Sequence, residues 1–195
     1  MTRIVAGAWG GRTLQVPKSG TRPTSERVRE AVFSRLDALG AVEDARVLDV
    51  FAGSGALGLE ALSRGAASAV FVEIAGGSAK VIRANIAALG ARGQTTVEVS
   101  DGARFVTGLG VSDRFDLVFL DPPYALASYV ITEVLAGLTA HLAPEGLMVL
   151  ETSKQYATPE IPSGLMVSAT KTYGDTLVNF LELAANQATS GGNAR

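Results

Sequence analysis

The chain has 195 residues, of which 47% are hydrophobic and 18% charged, a composition typical of a single globular domain and not of a disordered segment. The absence of cysteine excludes disulfides and cysteine nucleophiles, and the presence of only one histidine argues against a metal site. No apolar run reaches the roughly 18 residues of a membrane span, and no apolar core of a secretory signal follows the N-terminus. We therefore expect a cytoplasmic protein that holds no metal.

Positive charge is concentrated near the N-terminus. Residues 1–35 contain seven Lys or Arg and two Glu, although the formal net charge of the whole chain is −2. A basic segment on an acidic body suggests a polyanionic partner. Charge alone leaves open that this segment is an ordinary solvated surface.

The N-terminal region predicts a small hairpin followed by a helix. Ile4–Ala6 and Thr13–Val16 resemble short strands around a glycine-rich turn, and residues 17–23 resemble a linker. Thr24 is a suitable N-cap for a helix with apolar residues at helical spacing, and Gly40 would end that helix.

From residue 46 onward, short apolar runs alternate with helical patterns. The alternation predicts crossover units and a parallel sheet that is covered on both faces. The predicted strands are Arg46–Val50, Ala69–Glu73, Thr96–Val99, Phe115–Leu120 and Leu147–Leu150. The clearest helical patterns are Ala56–Arg64, Ala79–Leu89 and Tyr129–Leu142.

The C-terminal part differs from this alternation. Leu165–Lys171 and Thr176–Leu183 are strand-like runs separated only by turn residues, which predicts an antiparallel hairpin. Residues 186–195 have the composition of a disordered tail. We therefore expect a basic hairpin and arm in residues 1–22, an α/β domain in residues 23–185, and the tail.

A glycine loop follows the first strand of the predicted sheet. Gly53, Gly55 and Gly58 allow a tight turn and close approach of a ligand, and they fit the dinucleotide pattern as well. Asp49 precedes them at the strand end, where a carboxylate would repel a pyrophosphate but could face the ammonium of a methionine moiety. The loop therefore favours S-adenosyl-L-methionine over a dinucleotide.

Two more acidic residues fall at the ends of successive strands. Glu73 could accept hydrogen bonds from both ribose hydroxyls, and Asp101 could accept from the adenine amino group. Each alone could be a surface carboxylate or a cap, but ligands of open α/β sheets bind at this edge. The predicted cofactor-binding residues are Asp49, Phe51, Gly53, Ser54, Gly55, Glu73, Asp101 and Gly102.

The next strand runs into Asp121-Pro122-Pro123-Tyr124. Two consecutive prolines make a stiff segment that leaves the sheet edge with free carbonyls. The Asp121 side chain and the Pro122 carbonyl could hold the two N–H bonds of an exocyclic base amine, and Tyr124 could stack on the base. We therefore predict catalytic roles for Asp121, Pro122, Pro123 and Tyr124 in methylation of such an amine. A rigid strand exit with a buried tyrosine is the structural alternative.

With these motifs the chain resembles class I methyltransferases that methylate nitrogen, and more closely the RsmD family. The resemblance covers almost the whole chain. It rests on residues 3–7, 11–14, 22–33, 49–58 and 121–124 and on Glu73, Asp101, Lys171 and Gly174. It implies a Rossmann-like, mostly parallel seven-stranded sheet and methylation of the N2 amine of a guanine in 16S ribosomal RNA. Glu26 departs from the aspartate expected at its position, with the charge retained.

The predicted partner is 16S rRNA, either free or within a small-subunit assembly particle, and the protein is expected to act as a monomer. The predicted RNA-binding residues are Arg3, Arg12, Lys18 and Arg22.

Three alternatives remain. A DNA amino-methyltransferase fits the catalytic motif, although a separate sequence-reading domain is missing. A non-catalytic RNA-binding or assembly factor would not need intact motifs. An oxidoreductase is opposed by Asp49 and by the lack of length for a second domain.

Overall fold

The computed structural model describes residues 2–17, 25–123 and 126–185. Within these ranges the strands are β1 (Thr2–Arg3), β2 (Thr13–Leu14), β3 (Arg46–Val50), β4 (Ser68–Val72), β5 (Thr95–Glu98), β6 (Phe115–Leu120), β7 (Leu142–Ser153), β8 (Leu165–Tyr173) and β9 (Thr176–Leu183). The α-helices are α1 (Glu26–Ala38), α2 (Ala56–Ser63), α3 (Gly76–Leu89), α4 (Gly102–Thr107) and α5 (Ser128–Thr139). None of these helices is long and apolar enough to cross a membrane.

Seven strands form one sheet in the order β5-β4-β3-β6-β7-β9-β8. The first five strands in this order are parallel to one another, whereas β9 lies antiparallel between β7 and β8. The predicted fold, a mostly parallel class I methyltransferase sheet with an antiparallel C-terminal hairpin and a small N-terminal hairpin, is confirmed. Because β3, β4, β5 and β6 are parallel, their carboxyl ends lie at one edge of the sheet.

Helices cover both faces of this sheet. On one face, Phe33 of α1, Leu59 of α2 and Ile82 of α3 belong to one buried cluster with side chains of the central strands. On the other face, α4 and α5 contribute to a second cluster through Val106 and Val134. Two apolar cores on opposite faces explain why the central strands read as continuous apolar runs.

The N-terminal hairpin is shorter than predicted, since β1 and β2 have two residues each. The prediction of a strand over Ile4–Ala6 is wrong. The backbone N–H groups of Val5 and Ala6 donate at 2.7 and 3.0 Å to the carboxylate of Glu60 in α2 and are not part of a strand ladder. The hairpin is therefore fastened to a helix by a buried side chain.

Glu60 also lies at the centre of a buried ion network. Its side chain has no exposed surface, and it lies 3.5 Å from Arg29 Nε and 2.8 Å from Arg64 Nε. Arg29 is 1% exposed and donates to the backbone carbonyl of Arg3. Burial lowers the pKa of the Arg29 guanidinium, and the attraction of Glu60 opposes that shift. Arg29 therefore neutralises a buried acid and adds no charge to a polyanion-binding surface.

Several element boundaries also differ from the predicted ones. Helix α1 is capped by Ser25, whose hydroxyl accepts from Val28 N–H at 3.2 Å, and not by Thr24. Helix α5 ends at Thr139, because Leu142 already pairs with Phe115 as the first residue of β7. The short helix α4 was not predicted.

Candidate active site

The loop between β3 and α2 takes a backbone path that few residues tolerate. Gly53 and Gly55 have φ angles of 57° and 78°, in the left-handed region that glycine adopts without steric cost. Phe51 also has a positive φ of 66°, and such a conformation costs a non-glycine residue about 1–3 kcal/mol. The strain and the glycines together bend the chain sharply at the carboxyl end of the central strand.

Asp49 lies beneath this loop. Its side chain is 2% exposed, and one carboxylate oxygen accepts from the backbone N–H of Gly58 at 3.0 Å. Burial raises the pKa of Asp49 well above its ordinary value, the Gly58 hydrogen bond opposes that rise, and the charges of Asp121 and Glu73 add to it. Asp49 therefore fixes the first turn of α2 at an electrostatic cost that a positively charged ligand would reduce.

Glu73, directly after β4, ties two loops together. It is 8% exposed, and its two oxygens accept from the N–H of Gly53 and of Ala75, each at 2.8 Å. Each carboxylate oxygen has a second lone pair. The side chain can therefore hold the glycine loop and still accept hydrogen bonds from a ligand's hydroxyls.

Asp101 follows β5 and is the N-cap of α4. Its Oδ1 accepts from the N–H of Ala103 and Arg104 at 3.0 and 3.1 Å. A Cβ on the next residue, Gly102, would lie 3.1 Å from a methyl group of Val50. The capping role is thus established, and contact of Asp101 and Gly102 with a cofactor stays a prediction.

The Asp-Pro-Pro segment leaves the sheet at the end of β6, the strand next to β3. Asp121 is half-buried, Pro122 is buried and Pro123 is exposed. The Pro123 carbonyl accepts from Leu126 N–H at 2.8 Å. Tyr124 lies outside the described residues, so its predicted stacking role stays a prediction.

Asp49, Glu73 and Asp121 thus form a carboxylate cluster at the ends of three adjacent strands, β3, β4 and β6. No group of three or more His, Cys, Asp and Glu in the described ranges has a metal-binding arrangement. Clustered carboxylates favour a cationic ligand, and they are acceptors for hydroxyl and amine donors.

The predicted RNA-binding residues are only partly within the described ranges. Arg3 pairs with Glu26 at 3.0 Å, and Arg12 donates to the Ala88 carbonyl at 2.9 Å; both side chains remain exposed. Lys18 and Arg22 lie outside the described residues. RNA binding by these four residues stays a prediction.

Sequence reasoning missed Asn85, which is 2% exposed. Its amide accepts from Gln15 N–H at 2.8 Å and donates to the carbonyls of Gln15 and Ser54, each at 3.0 Å. It therefore links the N-terminal segment to the glycine loop. A polar residue on the buried face of a helical pattern was the available signal.

Sequence reasoning also missed Ile74, which is 67% exposed and directly follows Glu73. It offers an apolar surface beside the predicted ribose site.

A family model described as "Conserved hypothetical protein 95" matches residues 2–182 of the chain. Ribosomal RNA small subunit methyltransferase D of Escherichia coli K12 is 39% identical to it over 184 residues, which cover 94% of this chain and 90% of that protein. The putative rRNA methyltransferase YlbH of Bacillus subtilis is 31% identical over 176 residues, 89% of this chain and 95% of the relative.

Among solved structures, the putative methyltransferase yhhF from Escherichia coli superposes with a TM-score of 0.82 at 35% identity. The superposition covers 94% of this chain and 98% of that one. The two chains therefore share one fold over nearly their whole length.

Proposed function

The chain belongs to the RsmD family, whose model is described as conserved hypothetical protein 95, and we propose on that premise that it methylates the exocyclic N2 amine of a guanine in 16S ribosomal RNA. The family match and the methyltransferase fold support methyl transfer in general. The choice of guanine N2 rests on the resemblance of this chain's motifs to those of the family. The name of the E. coli relative, a ribosomal RNA small subunit methyltransferase, supports ribosomal RNA as the substrate.

The residues at the carboxyl edge of the sheet fit S-adenosylmethionine, which when bound supplies the methyl group from a sulfonium centre. Gly53 and Gly55 give the loop its tight turn through left-handed φ angles of 57° and 78°, and glycines at such turns allow a ligand to approach the backbone closely. We assign Phe51, Ser54 and Gly102 to the same cofactor site. Glu73 is assigned to the ribose, Asp101 to the adenine amino group, and the buried charge of Asp49 to the cationic methionine moiety.

Asp121 and the Pro122 carbonyl are assigned to the target base. An exocyclic amine is a poor nucleophile because its lone pair is delocalised into the ring. Two acceptors that hold both N–H bonds direct the lone pair away from them and towards the cofactor edge. Pro123 and Tyr124 complete the segment. It is stiff because the proline rings fix φ, and Pro122 is buried. Orientation of this kind is a major source of rate acceleration.

The base must leave its stack to enter such a site. We propose that Arg3, Arg12, Lys18 and Arg22 attract the RNA backbone, because the rest of the chain is net acidic. Phosphate contacts position a nucleic acid without reading its sequence. The target is therefore recognised by shape, in RNA or in a small-subunit particle. The proposed working form is a monomer in the cytoplasm.

The placement of Asp49, Glu73 and Asp121 at the ends of three adjacent strands is the single observation on which the proposal depends most. On this arrangement we assign the cofactor and the base adjacent positions on β3, β4 and β6. The test is transfer of a labelled methyl group to naked 16S rRNA, to small-subunit particles and to duplex DNA. We expect label in ribosomal RNA and none in DNA. Label in DNA alone would favour a DNA amino-methyltransferase, and no transfer to any substrate would favour a non-catalytic factor.

A further inference from the structure

Two stretches of the chain that form the N-terminal hairpin and α3 contain basic residues and no acid, although Arg3 of the hairpin pairs with Glu26 of α1. Residues 2–17 contain Arg3 and Arg12, residues 74–97 contain Lys80, Arg83 and Arg92, and neither stretch contains Asp or Glu. This is unusual in a chain with 19 acidic and 17 basic residues. The side chains of Arg12, Lys80, Arg83 and Arg92 are all exposed, and we name these four the basic flank.

The fold brings the two stretches together. Arg12 reaches the C-terminal end of α3 through its 2.9 Å hydrogen bond to the Ala88 carbonyl, and Gln15 is bonded to Asn85 of the same helix. Lys80 and Arg83 are one helical turn apart and therefore adjacent on the outer surface of α3. Arg92 follows in the short 3-10 helix Arg92–Gln94.

The basic flank extends along α3 and towards the edge of the sheet. At a rise of about 1.5 Å per residue, Lys80 and the Ala88 carbonyl that anchors Arg12 are about 12 Å apart along the axis. Arg83 donates to the Val97 carbonyl at 3.1 Å and so directs its guanidinium towards β5, the edge strand of the sheet. The cations therefore spread from the hairpin, across α3, to the sheet edge.

The nearest acid in sequence beyond this flank does not face it. Glu98 ends β5, but it lines a groove with Arg46 and Arg104 under α4, on the opposite face of the sheet. Glu73, which precedes α3, is buried in the glycine loop. The acids that precede and follow this stretch of the chain, Glu73 and Glu98, are thus both directed away from the basic flank.

We propose that the basic flank binds the phosphate backbone of the substrate RNA and guides it to the carboxyl edge of the sheet. This inference rests on the proposed function and extends its RNA surface from the N-terminal arm to α3. Helix α3 begins three residues after Glu73, so RNA that follows the helix towards its N-terminus arrives at the proposed active site. Attraction to phosphates releases counterions and is therefore sensitive to salt.

The test compares the wild type with three variants of altered charge. In the first variant, Lys80→Gln, Arg83→Gln and Arg92→Gln are combined. The matched control combines Arg46→Gln, Arg104→Gln and Arg114→Gln, three exposed residues outside the basic flank, and removes the same charge. Affinity for transcribed 16S rRNA is measured across a salt series, and cofactor affinity and circular dichroism report folding. A second flank variant, Lys80→Glu with Arg92→Glu, leaves the hydrogen bond of Arg83 to the Val97 carbonyl intact.

We expect both flank variants to bind RNA at least about tenfold more weakly than wild type at low salt, while the control stays within about threefold. The slope of log affinity against log salt should flatten by about one for each phosphate that is no longer neutralised. An equal decrease in the control and the flank variants would overturn the inference, as would unchanged affinity. These two outcomes would leave the proposed function intact as long as the wild type methylates RNA. If the wild type did not methylate RNA, the proposed function itself would be contradicted.

Discussion

The carboxylate of Glu73 accepts a 2.8 Å hydrogen bond from the backbone N–H of Gly53, so a side chain at the end of β4 holds the loop that follows β3. Its other oxygen accepts from Ala75 N–H, which begins the approach to α3. One buried acid therefore fixes two of the loops that surround the proposed cofactor site. Removal of this side chain should affect both the loop and the ligand.

Replacing Glu73 by alanine should weaken S-adenosylmethionine binding by about 1–3 kcal/mol, the usual cost of removing charge-assisted hydrogen bonds. Glu73→Gln should fall between alanine and wild type, because one of its two terminal atoms remains an acceptor. Calorimetry of cofactor binding measures the effect, and Glu98→Ala, at the exposed end of β5, is the control. An unchanged affinity in folded Glu73→Ala would contradict the ribose assignment.

Replacing Asp49 by asparagine should stabilise the empty protein and weaken cofactor binding. The pKa of Asp49 is raised in the folded state, so its ionisation destabilises the fold once the pH exceeds the ordinary carboxyl value of about 4. The gain in unfolding free energy should therefore be largest at neutral pH and disappear as the pH falls towards 4.

Urea denaturation across pH measures this effect, with the exposed Asp44→Asn as control. A gain that is independent of pH would show that the destabilisation does not come from ionisation. Cofactor binding to the wild type should also release protons, since a cation lowers the pKa of Asp49.

Glu60 should be among the most sensitive positions for stability. Glu60→Ala leaves Arg29 buried without its partner, and breaking a buried pair in this way costs about 3–5 kcal/mol. The exposed pair of Arg3 and Glu26 provides the comparison, because Glu26→Gln should cost less than about 1 kcal/mol. If chemical denaturation gave equal decreases in stability for the two substitutions, the buried network would not be what fastens the hairpin.

The sequence predicted the parts of the fold that depend on local pattern. The apolar runs of β3 and β6 were predicted with the bounds observed, because both strands are buried on two faces. The strand over Ile4–Ala6 was predicted wrongly, since its N–H groups bond to Glu60, more than 50 residues away. Long-range side-chain contacts of this kind leave no periodic signal.

In the candidate site, too, residues with a local sequence pattern were predicted, and residues set by long-range contacts were not. Asp49, Glu73 and Asp101 were singled out because acids at strand ends of a parallel sheet meet at one edge, and Asp121 because it begins the diproline segment. Asn85 was not found, because its partners Gln15 and Ser54 come together only in the folded chain. Arg29 was counted with the surface charge, although it is buried against Glu60.

Removing the carboxylate of Asp121 should lower turnover by about 10²–10³ with little change in cofactor affinity. Asp121→Ala removes one of the two proposed acceptors for the base amine, and removal of a preorganised group of this kind costs about 10²–10³ in kcat. Asp121→Asn keeps one acceptor oxygen and should retain more activity. Single-turnover methyl transfer with saturating cofactor separates chemistry from binding. Near-normal turnover by Asp121→Ala would refute its catalytic role.

The identity of the methylated nucleoside tests the central claim most directly. After reaction of the wild type with 16S rRNA or small-subunit particles, the RNA is digested to nucleosides and the labelled product is identified by mass spectrometry. The account predicts a single product, N2-methylguanosine, whose yield in the same reaction time falls by about 10²–10³ when Asp121→Ala replaces the wild type. A methyl group on a ring carbon, on a ribose hydroxyl or on the amine of another base would contradict it.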